Sequence, residues 1–239
     1  MRTLEAPSRA GGHEFELAGA ALVADAAGAL VWPTERTLVV ADLHLEKASS
    51  LAIRRGTLLP PYDTAATLAR LGDAIARADA RRVIALGDSF HDPNGPARMP
   101  AEAGAALRAL MRGRDWIWIS GNHDPEPLGL GGETCAELAL GPLVFRHEPR
   151  PGDPGPDGTG EVAGHLHPAA RLRWNGRAIR RRCFAADGRR LVLPAFGALA
   201  GGLNVLDEAF APLFDRRPRV MLLGEARVYP VSSALLIGD

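Results

Sequence analysis

Three short apolar runs in the first half of the chain each end at polar residues that can bind a metal ion. The runs are Thr37–Ala41, Arg82–Leu86 and Trp116–Ser120, and each is typical of a strand buried on both faces of a sheet. Between them, Tyr62–Ala78 and Pro100–Arg112 have helical spacing and composition. This alternation of strands and helices predicts a largely parallel sheet with the polar residues at its strand ends.

Those polar residues belong to an ordered series that contains five of the seven histidines, three aspartates and an asparagine. Such donors suit two divalent cations about 4 Å apart, which neutralise phosphate oxygens and lower the pKa of bound water from about 16 to roughly 7. A bridging carboxylate is also needed, and Asp88 is the natural bridge. The series runs Asp42-Leu43-His44, Gly87-Asp88, Gly121-Asn122-His123-Asp124, His147 and Gly164-His165-Leu166-His167.

Two motifs of the series consist of two possible metal ligands separated by one residue. In an extended segment, residues two apart point to the same side of the chain. We therefore expect Asp42 and His44 to face one cavity together, and His165 and His167 to do the same. A short motif of this kind by itself usually marks a turn or a cap, but the complete order favours a metal site.

After about Leu140 the pattern changes to short strands separated by Gly, Pro and Asp. These predict a second, mostly antiparallel sheet with His147, His165 and His167 on its connecting loops. With 239 residues and 46% hydrophobic content, one sizeable core and a single domain spanning 1–239 are expected. The predicted strands are Leu143–His147, Glu161–Ala163, Ala170–Trp174, Cys183–Ala185 and Arg190–Leu193, with edge hairpins from Phe15–Trp32 and Val220–Val231.

The order DxH, GD, GNHD, H and GHxH resembles the calcineurin-like metallophosphoesterase superfamily over about half of the chain. The strings GDSFHD, FRHEP and LPAFGALAGGLN are similar, more narrowly, to the ligase-associated DNA damage response phosphodiesterases/endonucleases of the PdeM type. The resemblance implies an α/β (α+β) fold, a four-layer αββα sandwich of two mixed sheets with flanking helices. It also implies that His123 is a catalytic histidine that binds no metal. The implied ligands are Asp42, His44, Asp88 and His167 for the first metal, and Asp88, Asn122, His147 and His165 for the second.

The resemblance further implies a binuclear phosphodiesterase, a nuclease acting on DNA in a ligase-associated repair system. A metal-bridging hydroxide would attack phosphorus in line, with His123 assisting departure of the leaving alkoxide. Mn²⁺ is the favoured metal, with iron or zinc as alternatives. The implied functional partners are a DNA ligase, a helicase and an exonuclease-like protein. A phosphomonoesterase and a non-catalytic interaction module with this fold are the alternatives.

The chain departs from the superfamily pattern after Asp88. The superfamily often has GDxxDR, whereas this chain has Gly87-Asp88-Ser89-Phe90-His91-Asp92. An imidazole that transfers a proton needs a partner that fixes its tautomer. Asp92 is the preferred partner for His123, and His91 is then a substrate-side group or a spectator. Asp124 is the alternative, and a turn or cap role for it is equally consistent with the sequence.

The charge pattern restricts the kind of substrate contact. Lysine and arginine total 28, as do aspartate and glutamate, so the chain lacks the long-range basic field of many nucleic-acid binders. A local arginine cluster, either a protected strand edge or a phosphate-backbone contact, follows the last histidines. Its members are Arg171, Arg173, Arg177, Arg180, Arg181 and Arg182, of which Arg177, Arg180 and Arg181 join His91 as candidate substrate contacts.

Cysteine content and hydropathy suggest the cellular location. Cys135 and Cys183 form no disulfide framework or metal-binding spacing, and the chain has no secretory segment or long apolar run. We therefore expect a cytoplasmic protein without membrane contact. The sequence leaves open whether it forms a homodimer.

Overall fold

A computed structural model describes residues 11–152, 154–155, 158–214 and 217–239. Its first sheet has seven strands in chain order, antiparallel from the first to the fourth and parallel from the fourth to the seventh. The parallel part confirms the predicted alternation of strands and helices. The strands are β1 (His13–Leu17), β2 (Ala20–Ala24), β3 (Leu30–Trp32), β4 (Thr37–Ala41), β5 (Arg82–Leu86), β6 (Asp115–Ile119) and β7 (Glu133–Cys135).

The second sheet is mixed. In the described residues it has nine strands, which are β8 (Glu137–Leu140), β9 (Leu143–Arg146), β10 (Gly160–Ala163), β11 (Pro168–Trp174), β12 (Arg177–Ala186), β13 (Arg190–Val192), β14 (Leu203–Asn204), β15 (Arg219–Leu223) and β16 (Val228–Val231). Their order is β14-β11-β12-β13-β10-β9-β8, and β15 pairs with β12 and β16. Most pairs are antiparallel, but β10 runs parallel to both β9 and β13, and β14 runs parallel to β11. The predicted Cys183–Ala185 strand is the end of the longer β12.

Helices cover the outer face of the first sheet. They are α1 (Lys47–Arg55), α2 (Asp63–Ala78), α3 (Gly95–Arg98) and α4 (Ala101–Met111). The two predicted helices correspond to α2 and α4. On the second sheet the outer layer contains a 3₁₀ helix over Glu208–Leu213, which Asp207 caps by accepting a hydrogen bond from the backbone N–H of Ala209.

Three apolar clusters separate the layers. Alternate residues of β4 enter different clusters, because Val39 packs between the two sheets and Leu38 packs towards α2. This explains why the run from 37 to 41 is apolar throughout. A third cluster, which includes Phe210, lies between the second sheet and the 3₁₀ helix. The molecule is therefore a sandwich of two mixed sheets with helical outer layers, as predicted.

A buried ionic cluster connects the second sheet to its surrounding loops. Glu161 on β10 is fully buried and accepts hydrogen bonds from the side chains of Arg146 on β9, at 2.6 Å, and Arg190 on β13. Arg190 also donates to the backbone carbonyls of Arg150, at 2.5 Å, and Gly152, at 3.0 Å. One carboxylate therefore holds three neighbouring strands and a loop together.

We expect Glu161→Ala to lower the free energy of unfolding by about 3–5 kcal/mol, because the buried Arg190 loses its counter-ion and the buried Arg146 keeps, among the described residues, only the exposed Glu137. For a chain of this size, that corresponds to a fall in Tm of about 6–20 °C. The matched control is Glu137→Ala, since Glu137 is 45% exposed and pairs with the same Arg146 at 3.3 Å. It should cost at most about 1 kcal/mol. Equal losses for the two variants in urea denaturation would contradict the role given to Glu161.

Candidate metal centre

The loops at the carboxyl ends of five strands meet at one edge of the sandwich. Asp42 follows β4, Asp88 follows β5 and Asn122 follows β6 in the first sheet, while His147 follows β9 and His165 follows β10 in the second. The first two loops are also joined directly, because the backbone N–H of His44 donates to the carbonyl of Asp88 at 2.9 Å. Both sheets therefore contribute donors to the same region.

The first group of donors contains Asp42, His44 and His167. The Nε2 atom of His167 lies 3.3 Å from Asp42 Oδ1 and 3.3 Å from His44 Nε2. Asp42 and His44 are buried, and His167 is partly exposed. Asp42 is fixed in addition by the backbone N–H of His165, which donates to Oδ2 at 3.0 Å.

The second group contains Asn122, His147 and His165. The Nε2 atom of His147 lies 3.0 Å from Asn122 Oδ1 and 3.2 Å from His165 Nδ1. The Nδ1 atom of His147 lies 3.0 Å from the carbonyl oxygen of Leu86, to which it can donate. That hydrogen bond would leave the lone pair on Nε2, which is the nitrogen that faces the other two donors.

Asp88 lies between the two groups and offers one oxygen to each. Its Oδ1 atom is 3.5 Å from His147 Nε2, and its Oδ2 atom is 4.0 Å from His44 Nε2. The backbone N–H of His123 donates to Oδ1 at 2.8 Å and holds the carboxylate in this orientation. A carboxylate placed in this way can bridge two cations.

The spacing of these donors fits metal ligands. Two donors about 2.1 Å from one cation, at the angles of octahedral or tetrahedral coordination, lie about 3.0–3.4 Å apart. The contacts within the two groups are 3.0–3.3 Å. Imidazole nitrogens that face one another in this way share at most one hydrogen bond, whereas a cation would satisfy all of their lone pairs. The mixture of carboxylate, imidazole and amide donors also suits a divalent transition metal.

The surroundings favour the neutral form of two of the histidine donors, which is the form that binds a metal. Burial, with the nearby His167, lowers the pKa of His44 to about 2, and burial lowers the pKa of His165. Metal-binding histidines must be deprotonated. The imidazole of His44 is therefore neutral at physiological pH.

The backbone at the donors is unusual. Asp42, His44, Asp88, His165 and His167 all have positive φ, with values of 53°, 43°, 46°, 69° and 48°. Residues with side chains seldom adopt this left-handed region, and residues that do so are concentrated at functional sites. The Asp-x-His and His-x-His segments are therefore not extended, so our geometric reason for pairing these donors is wrong, although each pair does face the same region.

Two glycines of the motifs allow the loops to approach closely. A Cβ atom on Gly121 would lie 2.2 Å from the backbone nitrogen of Asp88, and one on Gly164 would lie 2.7 Å from Asp42 Oδ2. Each contact is closer than real Cβ atoms reach. Glycine at these positions therefore lets carboxylates of the first sheet contact loops from β6 and β10.

A backbone carbonyl, and not a carboxylate, orients His123. Its Nδ1 atom lies 2.8 Å from the carbonyl oxygen of His91. Asp92 instead accepts two hydrogen bonds from Arg98, at 2.9 and 2.6 Å, which lower the pKa of its carboxyl group. Asp124 accepts from the backbone N–H of Phe90 at 3.0 Å. The prediction that Asp92 orients the imidazole of His123 is therefore wrong, and so is the alternative with Asp124.

The structural role of Asp124 is to connect two loops of the centre. Its carboxylate lies in the loop after β6 and holds the loop after β5 through Phe90. Burial, with a smaller contribution from the charge of Asp88, raises the pKa of Asp124 to about 6. The sequence suggested that Asp124 accepts a hydrogen bond within a turn or a helix cap. In the structure it accepts one from a different loop.

His91 lies beside the centre and does not belong to either donor group. Its ring stacks on that of His123, with the centroids 5.0 Å apart and an angle of 19° between the planes. Its Nδ1 atom lies 3.4 Å from Nδ1 of His44. Burial lowers the pKa of His91 to about 4, and the charge of Lys47 contributes. The ring is therefore a neutral imidazole next to the exposed edge of the centre.

The arginine cluster does not act as one surface. Arg180 is engaged by the carbonyl of Gly202 at 2.6 Å and by the carboxylate of Asp239 at 3.2 Å. Arg181 donates to the carbonyl of Arg180, and Arg177 is exposed at the end of the β11–β12 hairpin. Of the three candidate contacts, Arg180 is therefore already held by protein groups close to the loop of His167.

Lys47 is a residue of the centre that the sequence reasoning missed. It begins α1, three residues after His44, and its charge lowers the pKa of both His44 and His91. It is the single lysine in a chain whose other basic residues are arginines. This composition could have drawn attention to Lys47, because a single ammonium group is unusual in a chain that otherwise uses arginine.

Two mixed sheets with carboxylate, imidazole and amide donors at their shared edge define a metal-dependent phosphoesterase of the sandwich type. The family model for calcineurin-like phosphoesterases matches residues 35–183, and the chain belongs to this family. Comparison with curated proteins found no match. No helix among the described residues has the length and hydropathy needed to cross a membrane.

Two solved structures resemble the chain. The nuclease MPE of Pseudomonas putida is 32% identical, with a TM-score of 0.71, and the match covers 92% of this chain and 100% of that protein. The phosphoesterase Yfce from E. coli is 14% identical, with a TM-score of 0.43, and the match covers 80% of this chain and 95% of that one.

Proposed function

We propose that the chain is a binuclear metal-dependent phosphodiesterase that cleaves nucleic acid. The observation that carries this proposal is the position of Asp88, whose two carboxylate oxygens face two separate donor groups. The 32% identity to a protein described as a nuclease, over nearly the whole chain, supports nucleic acid as the substrate. The exposure of Asn122 and the partial exposure of His123 leave the centre open to a macromolecular substrate.

The same geometry supports an assignment of ligands in this proposal. Bound there, two divalent cations would neutralise phosphate oxygens and lower the pKa of water. Mn²⁺ is the proposed metal, because it accepts carboxylate and amide oxygens together with imidazole nitrogens. Asp42, His44, Asp88 and His167 would hold one cation, and Asp88, Asn122, His147 and His165 the other.

His123 is the proposed general acid. Its Nδ1 atom faces the carbonyl oxygen of His91 and can donate a hydrogen bond to it. Nε2 therefore points away from the loop that carries His91. Nε2 lies 3.8 Å from Asp88 Oδ2, beside the bridging position, and the side chain is 38% exposed. It can therefore reach the leaving oxygen of a bound diester and pass a proton to it.

Cationic and neutral donors around the opening would bind the substrate. Lys47 lies on the side of His44, and His91 stacks on His123, so both can contact a phosphate held at the centre. Arg177 and Arg181, on the β11–β12 hairpin, remain candidates for contacts with more distant phosphates. Arg180 would have to release Gly202 and Asp239 before it could contribute.

A place in ligase-associated DNA repair is the narrower part of the proposal. It rests on the similarity of the strings GDSFHD, FRHEP and LPAFGALAGGLN to that family of phosphodiesterases. Genes for a DNA ligase, a helicase and an exonuclease-like protein next to this gene would support the assignment. Their absence would remove the repair context and leave the chemistry unaffected.

The proposed reaction is tested by comparing three substrates in the presence of Mn²⁺. We expect turnover of bis-p-nitrophenyl phosphate and of single-stranded DNA to exceed that of p-nitrophenyl phosphate, with Asp88→Ala as the inactive control. Preference for p-nitrophenyl phosphate would overturn the assignment in favour of a phosphomonoesterase. Absence of Mn²⁺-dependent turnover on all three would favour an interaction module.

A further inference from the structure

A cavity of about 490 Å³ lies where α2, β12, the β2–β3 loop and the β15–β16 turn meet. None of the donors of the metal centre lines it. Three arginines, Arg70, Arg77 and Arg182, and two carboxylates, Asp25 and Glu225, line the cavity together with alanine and glycine residues. The small neighbours leave room for a ligand next to the guanidinium groups.

The two carboxylates do not neutralise all three arginines. Asp25 is bound by Arg77, with an Nη2–Oδ1 distance of 3.0 Å, and the same oxygen accepts a hydrogen bond from the backbone N–H of Ala27 at 2.8 Å. Glu225 is exposed at the rim. Within the described part of the chain, neither Arg70 nor Arg182 forms an ion pair. Two guanidinium groups in one cavity therefore lack a counter-ion.

In the part of the chain that the structure describes, Arg70 has buried hydrogen-bond donors without acceptors. Its Nε and Nη2 atoms are buried and have no hydrogen-bond acceptor among the described residues. Its guanidinium lies over the ring of Phe196, 4.5 Å from the centroid, so one face is covered. Burial and the charge of Arg182 lower the pKa of Arg70 to about 10. Leaving a partly buried guanidinium without a counter-ion is costly, and an anion in the cavity, bound to the remaining donors of Arg70, would offset its charge.

Arg182 has unused donors as well. Its Nη1 atom donates to the carbonyl of Ala195 at 2.8 Å, with a longer contact to Gly197 at 3.5 Å. A guanidinium group has five N–H donors, so most of this capacity is not used by the protein. Arg182 therefore faces the cavity and does not extend the exposed arginines of the β11–β12 hairpin.

We propose that this cavity is a binding site for a phosphoryl oxyanion, held between Arg70 and Arg182. Paired guanidinium groups present N–H donors in the fork geometry that matches phosphate oxygens. The oxyanion would be a phosphate group of a nucleic-acid strand or free inorganic phosphate, since both present the same chemistry to the two arginines.

The site borders the metal centre through one backbone segment. Arg182 holds the carbonyl of Ala195, and the next two residues, Phe196 and Gly197, donate backbone hydrogen bonds to the carbonyls of Ala41 and Asp42, at 2.8 and 3.0 Å. An anion bound to Arg182 would therefore lie behind the loop that carries Asp42. This position differs from that of a substrate at the exposed side of the centre.

The proposal is tested by isothermal titration calorimetry with inorganic phosphate at constant ionic strength. The protein is the full chain, loaded with Mn²⁺ and freed of excess metal. Relative to the wild type, Arg70→Gln should lose one phosphate-binding event per chain, or bind that phosphate at least tenfold more weakly. The exposed control Arg81→Gln should match the wild type. An Arg70→Gln protein that keeps every wild-type binding event would overturn the proposal.

A second variant tests the same site without altering Arg70 or Arg182. Ala226 is exposed at the rim, so Ala226→Glu would place a carboxylate where the anion enters and should remove the same binding event. Retention of that event in Ala226→Glu would also count against the site. Because these measurements need no turnover, they can succeed or fail independently of the proposed nuclease activity.

A titration with a single-stranded oligonucleotide distinguishes the two sources of phosphate. If Arg70→Gln weakens binding of the oligonucleotide as well as of inorganic phosphate, the cavity receives a phosphate of the strand. If only inorganic phosphate is affected, the ligand is the free ion. Both results support an oxyanion site, whereas unchanged binding of both probes contradicts it.

Discussion

Asp88→Ala should reduce Mn²⁺-dependent turnover of bis-p-nitrophenyl phosphate by about 10⁴-fold or more. The carboxylate offers one oxygen to each donor group, so its removal leaves both groups incomplete. Each cation contributes several kcal/mol to the stabilisation of the transition state, and every 1.36 kcal/mol is a factor of about ten in rate. Metal content, measured on the same sample by mass spectrometry, should fall below the two ions per chain expected of the wild type.

The matched control for this variant is Asp115→Ala. Asp115 is a carboxylate at the opposite end of a strand of the same sheet, is 71% exposed and pairs only loosely with Arg82, at 3.5 Å. It should keep both metal ions and full turnover. Two ions per chain in Asp88→Ala, with the turnover of the wild type, would show that the carboxylate is not a bridge.

His123→Ala should lower turnover of single-stranded DNA by about 10²- to 10⁴-fold while leaving the metal content unchanged. The loss should be smaller for bis-p-nitrophenyl phosphate, because p-nitrophenolate is a stable anion that departs without a proton. A DNA alkoxide needs that proton. The measurement is kcat for both substrates at saturating Mn²⁺.

The two substrates together distinguish a general acid from a ligand. Equal losses on both, accompanied by loss of metal, would make His123 a ligand of the centre. Unchanged kcat on DNA would remove His123 from the mechanism. His13→Ala serves as the control for a histidine substitution, because His13 lies in the edge strand β1, outside both donor groups.

The parallel strands were predictable because both of their faces are buried. The runs from 37 to 41 and from 82 to 86 match β4 and β5 to the residue, and the third run is displaced by one residue in β6. A strand covered on both sides is apolar throughout, and the glycine-containing motifs mark where it ends. The same logic located the loops that carry the donors.

Local sequence patterns could not reveal how the loops hold their side chains. The partner of His123 is a backbone carbonyl, which every residue possesses, so no residue type identifies His91 in that role. Asp92 was the preferred partner by chemistry, but Arg98, six residues later on α3, binds it. Arg180 is held by Asp239, 59 residues away in the sequence. Which partner each of these side chains binds therefore depends on tertiary contacts.

The left-handed backbone at five donors has a consequence for how this chain can change over time. At each of these positions a glycine would relieve a conformational cost on the order of 1 kcal/mol, and asparagine would relieve part of it. Selection for folding stability alone would therefore favour replacement of these aspartates and histidines. Backbone conformation and metal binding therefore make opposite demands on these five positions, because the residues that fit the backbone best offer no carboxylate or imidazole to a cation.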